Sequence, residues 1–125
     1  MGNSEARGIR RLINATRYSI SGLKAAWKNE EAFRMEVTAA LIMLPCAFWL
    51  GNTATQRGLL VGTCFVVMIT ELLNSAIETV VDRIGPDRHE LSGRAKDIAS
   101  AAVMLSLIMT LIIWALVIVE RFCPA

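Results

Sequence analysis

The stretch ELLNSAIETVVD, residues 71–82, carries Glu71, Asn74, Ser75, Glu78 and Asp82 directly after an apolar run that belongs in lipid. Each residue of a helix turns about 100° from the one before, so these five share a stripe about 100° wide. Cys64, Val67 and Met68 continue the stripe away from its acidic half. At 1.5 Å of rise per residue, Glu71 lies about 10 Å deeper than Glu78. A charged side chain at the bilayer centre costs about 2.5–3.5 kcal/mol on the mildest scale. Two carboxylates on one stripe also repel each other. Such groups persist where they meet water, a cation, a donor or another subunit, and a cation between them relieves both penalties. Polar glue between helices is the plainer reading, and it suffices for Asn74 and Ser75. It does not account for two Glu and an Asp.

Just beyond the stripe the chain reads DRIGPDRHELSGRAKD. Gly85-Pro86 stops the helix, because Pro cannot continue it, and Gly93 is expected to allow a turn before the next one. That spacing places Arg94, Lys96 and Asp97 at a helix N-terminus, where outward N–H groups and basic side chains suit a phosphate. Ordinary interfacial anchoring fits the same residues. His89 alone reads as a solvated loop residue. Together these parts describe phosphate handling at a membrane interface. Acidic groups would hold a divalent metal, basic groups would hold phosphate oxygens, and a deeper carboxylate would reach a lipid hydroxyl.

The elements that must position these residues are helices in a membrane. The sequence has 125 residues, 54% of them hydrophobic, gathered in blocks. Ile98 to Val119 holds no charged residue and is long enough, at about 20 residues per span, to cross a bilayer core. Val37 to Leu50 is a second block, with Pro45 tolerated as a kink. Gly58 to Thr70 is a third, leading into the acidic stripe. We therefore expect an all-α membrane protein, one domain over residues 1–125, with transmembrane helices at roughly 33–51, 57–84 and 97–120. Before them, Ile9, Leu12, Ile13, Thr16, Ile20, Leu23 and Trp27 fall on one face at helical spacing, with Arg7, Arg10, Arg11, Arg17, Tyr18, Lys24 and Lys28 opposite or flanking. This predicts an amphipathic surface helix over about 6–28, with a break at Ser19–Gly22. Simple anchoring to anionic lipid would satisfy that helix.

Lys and Arg crowd the segment before the first span and the loop between the second and third. The positive-inside bias then puts the N-terminus and that loop in the cytoplasm, with Trp49 and Trp114 toward the outer interface. No secretory signal peptide is expected. A net charge of +2 argues against a nucleic-acid partner. Cys46, Cys64 and Cys123 read as apolar packing, and neither metal-type Cys/His spacing nor a P-loop signature occurs. Three helices shelter an acidic stripe poorly, which points to a homo-oligomer sharing the site between chains.

ELLNSAIETVVDRIG followed by HELSGRAKD, with AAWKNEEAFRME entering the first span, resembles the small prokaryotic integral-membrane diacylglycerol kinases. The similarity runs in order along nearly the whole chain. It implies a homotrimer of three-helix subunits in a bacterial inner membrane. It also implies MgATP-dependent phosphorylation of diacylglycerol to phosphatidic acid at the cytoplasmic face, by direct in-line transfer. Carried over residue by residue, it makes Glu71 the general base and Glu30 and Glu78 the ligands of Mg²⁺. Arg11, Tyr18, Glu30, Asn74, Glu78, Asp87, Arg88, His89, Lys96 and Asp97 would form the ATP site. Arg11, Glu71 and Ser100 would meet the lipid. Asp87, Met35 and Ile20 depart from the Glu, Gln and aromatic residues of some relatives, and none of them is a matched metal or base position. Two other readings stand beside this one: an undecaprenol kinase of the same family, and a non-enzymatic membrane protein whose acidic stripe binds cations.

Overall fold

The computed structural model describes residues 2–124, and among them the chain forms four helices: α1 (Gly2–Asn29), α2 (Glu31–Leu50), α3 (Ala54–Ile84) and α4 (Glu90–Phe122). α2, α3 and α4 are each long and apolar enough to cross a membrane. At 1.5 Å per residue α3 and α4 are about 47–50 Å long, well beyond a hydrocarbon core of about 30 Å. Their ends therefore reach the polar layers, and the acidic half of α3 spans the transition.

α1 runs unbroken through Ser19, Ser21 and Gly22, so the expected break is absent. Ser19 Oγ donates to the Ala15 carbonyl at 2.8 Å and does not disturb the helix. Ile9, Leu12, Ile13, Ile20, Leu23 and Trp27 are all exposed, and Ala26 is the buried residue of α1 among those described. Glu30, in extended conformation, is the single non-helical residue between α1 and α2. Arg34 Nη1 donates to the Trp27 and Lys28 carbonyls at 2.7 and 3.2 Å, closing the end of α1 from the second turn of α2.

The apolar core lies near the α2–α3 turn, where Ala47, Leu50, Leu60 and Val117 meet. Thr53 caps α3 by accepting from the Gln56 N–H at 3.1 Å. Gln56 Nε2 donates to Glu120 Oε2 at 2.8 Å and Arg121 donates to Asn52 Oδ1, fastening α4 to that end. Trp49 lies at the same end, exposed, with Phe122 6.1 Å away and the Arg121 guanidinium 5.7 Å from its ring centre. Trp114 turns inward: its indole N–H donates to Thr63 Oγ1 at 2.9 Å, so it clips α4 to α3.

α4 begins at Glu90, seven residues before the expected start at 97. His89 is its N-cap, its ring Nδ1 accepting from the Leu91 N–H at 3.1 Å. Gly93 is helical. Arg94, Lys96 and Asp97 accordingly stand one to two turns inside the helix, and the free N–H groups of its first turn are not beside them. Lys96 therefore has no helix N-terminus beside it, contrary to the expectation from spacing.

Candidate functional site

The stripe read from spacing is present on α3, and burial grades along it. Glu71 and Ser75 are buried, at 5% and 7% exposure; Asn74 and Glu78 are half-buried, and Asp82 is exposed. Asn74 Nδ2 donates to Glu78 Oε1 at 3.3 Å, one turn along the helix. The charges of Glu78 and Glu30 both act on Glu71, so the link between α1 and α2 comes within electrostatic reach of the stripe. Glu30 is free to serve there because its side chain makes no capping hydrogen bond to α2.

Glu36 joins the group, and sequence reasoning did not single it out. It is near enough to Glu71 for that charge to act on it, and its Oε2 is buried without a hydrogen-bond partner. The signal was its spacing: Phe33, Ala40 and Ala47 form the buried face of α2, and Glu36 falls on that face. Asn74 Oδ1 and Ser75 Oγ are likewise buried without partners. Polar groups left this way cost about 1–3 kcal/mol each.

Two clefts flank the stripe. One, of about 700 Å³, lies between α1 and α3, lined by Ser19, Leu23, Ala26 and Glu30 on one side and by Leu72 and Ser75 on the other. Its mostly apolar wall suits a lipid, with the carboxylates at its edge. The second, of about 460 Å³, sits at the α3–α4 loop, where Asp82, Asp87, Arg88, His89 and Lys96 meet. Its charged lining suits a phosphorylated, water-soluble ligand. Lys96 Nζ bonds Asp82 Oδ1 there at 2.8 Å.

Other expected site residues are placed less closely. Tyr18 is exposed on the α1 face that also carries Gly22 and Asn29, at the border of the first cleft. Arg11 shares that face but lies about 27 Å along the helix from Asn29, so this chain does not bring it to its own carboxylates. Asp97 and Ser100 are exposed on α4, Ser100 one turn beyond Lys96.

Among the described residues, no three His, Cys, Asp or Glu side chains form a ready metal cage. The donor set nevertheless fits Mg²⁺, which is commonly held by one or two carboxylates with substrate phosphates and water completing its shell. The expected pair, Glu30 and Glu78, are both half-buried carboxylates.

Comparison with known proteins identifies the family. The family model for prokaryotic diacylglycerol kinase matches residues 17–118. The diacylglycerol kinase of Haemophilus influenzae is 54% identical over 107 residues, covering 86% of this chain and 91% of that protein. The Escherichia coli enzyme is 51% identical over 115 residues, covering 92% and 94%. That of Pseudomonas aeruginosa is 42% identical over 111 residues, covering 89% and 90%. With a carboxylate stripe, an apolar cleft and a charged cleft on one three-span bundle, the chain belongs to the prokaryotic diacylglycerol kinase family.

Proposed function

We propose that this protein transfers the γ-phosphoryl group of MgATP to the free hydroxyl of diacylglycerol, giving phosphatidic acid at the cytoplasmic face of a bacterial inner membrane. The observation that carries the reading is the buried Glu71 carboxylate, with Glu30 and Glu78 acting on it, on a helix whose Ser75 lines an apolar cleft and whose Asp82 lines a charged one. The names of the relatives favour diacylglycerol over undecaprenol as the lipid, and the family membership sets the non-enzymatic reading aside.

In this mechanism the lipid lies in the α1–α3 cleft with its hydroxyl toward Glu71. Glu71 accepts the hydroxyl proton while the oxygen attacks the γ-phosphorus in line. The new O–P bond forms as the bond to the β–γ bridging oxygen breaks, ADP departs, and Glu71 retains the proton until it passes to water. Glu30 and Glu78 would hold Mg²⁺, which supplies neutralising charge to the phosphates. Lys96 donates to the phosphate oxygens as negative charge shifts toward the leaving group. Such a transfer asks the protein for positioning and electrostatics more than for covalent chemistry, and holding both reactants at one interface removes much of the entropic barrier. Arg88 and His89 border the nucleotide, and Asn74 orients Glu78.

We further propose that the working form is a homotrimer with the N-terminus in the cytoplasm and α1 on the membrane surface. The Lys and Arg asymmetry supports the orientation. The distance of Arg11 from its own carboxylates supports sharing of sites between copies. The test is to incubate purified protein in mixed micelles with labelled ATP, Mg²⁺ and, separately, diacylglycerol or undecaprenol. Labelled phosphatidic acid is expected. Label only in undecaprenyl phosphate, or in neither lipid, contradicts the proposal.

A further inference from the structure

We infer that Asp82 is a positioning residue for phosphoryl transfer, holding the Lys96 ammonium over the charged cleft so that it meets the nucleotide's phosphates. The inference rests on the function proposed above and adds to it a residue to which no role has been given. Asp82 and Lys96 stand 14 positions apart on different helices, and the short Gly85–His89 break folds α4 back so that they meet at 2.8 Å. Both line the same cleft. Arg94, half a turn earlier on α4, turns to Glu90 of its own helix at 3.5 Å, so Lys96 is the cation directed at α3.

A pair whose side chains are 43% and 68% exposed contributes little to fold stability. Its effect is on where the ammonium points. A lysine has a flexible four-carbon stem and three N–H donors. One bond to Asp82 fixes the head and leaves two donors free for phosphate oxygens. Asp82 is one turn beyond Glu78 on the same helix. The contact therefore sets the phosphate-binding cation in register with the metal carboxylate and, through α3, with Glu71.

The experiment is a double-mutant cycle on the full-length protein, reading kcat/KM for MgATP with saturating diacylglycerol, using Asp82→Asn, Lys96→Met and the double variant. Asp82→Asn is expected to lower kcat/KM about fivefold, the equivalent of a partly exposed charge pair. Added to Lys96→Met it should lower the rate by less than about twofold, because it acts only through the missing ammonium. Full activity of Lys96→Met overturns both the phosphate role of Lys96 and this inference. An impaired Lys96→Met combined with a silent Asp82→Asn overturns the inference alone. So does a loss from Asp82→Asn that is as large in the Lys96→Met background as in wild type, which is the signature of an Asp82 that acts independently of the Lys96 ammonium.

Discussion

At the scale of single residues, the chemistry depends on carboxylates kept where lipid would exclude them. Spacing alone revealed those on α3, because one helix fixes their common face whatever packs against it. For Glu36 spacing gives only its place on the buried face of α2; that this face meets the stripe follows only when α2 packs on α3. Spacing could not reveal the Asp82–Lys96 pairing, which needs the loop geometry between them. If Glu30 and Glu78 share one Mg²⁺, Glu30→Gln and Glu78→Gln should each raise the Mg²⁺ concentration for half-maximal rate. The shift should be at least about tenfold, since even partners outside a metal's immediate ligands change affinity by 10–100-fold. Mg²⁺ titrations at saturating ATP check this, and superimposable curves would remove both residues from the metal.

At the scale of elements, the apolar blocks announced the three long helices, but their ends were less legible. α4 starts at Glu90 because His89 caps it, and His is not among the residues that ordinarily mark an N-cap. The continuity of α1 across Ser19–Gly22 was also hidden, since local propensity there favours a break. Trp114 reads from sequence as an interfacial anchor, and its bond to Thr63 makes it a link between α3 and α4. Trp114→Phe keeps the ring and removes that bond. It should lower the stability of the bundle by about 0.6–1.7 kcal/mol, the range for hydrogen bonds between membrane helices, measured by denaturant unfolding in mixed micelles. Gly51 closes the α2–α3 turn where an added Cβ would lie 2.6 Å from Arg57 Cγ and 3.1 Å from the Ala47 carbonyl oxygen. Gly51→Ala should therefore cost about 1–3 kcal/mol, as overpacking does, in the same assay.

At the scale of the whole molecule, α1 projects from the bundle with its apolar residues uncovered, and α2 to α4 expose large side chains along much of their length. Apolar flanks of this kind on α2 to α4 fit lipid, and the membrane surface proposed beneath α1 would cover its apolar residues. In a variant with its three cysteines replaced by Ala, a spin label at Leu12→Cys should be relaxed more strongly by dissolved oxygen than by a water-soluble nickel chelate. A label at Arg10→Cys should show the reverse, and equal behaviour at both positions would detach α1 from the membrane. Sequence gave the amphipathic pattern of this helix. The proposed number of copies is not legible there, because surfaces between chains leave no local pattern.

The central claim is that Glu71 removes the proton from the lipid hydroxyl while other groups bind the nucleotide. Its most direct test compares wild type with Glu71→Gln in two assays, transfer of labelled phosphate to diacylglycerol and equilibrium binding of MgATP. The account predicts a loss of transfer of at least about 10²-fold, as for removal of a general base, with nucleotide affinity changed by less than a factor of about three. Transfer at the wild-type rate, or a loss of transfer matched by an equal loss of nucleotide binding, would contradict it.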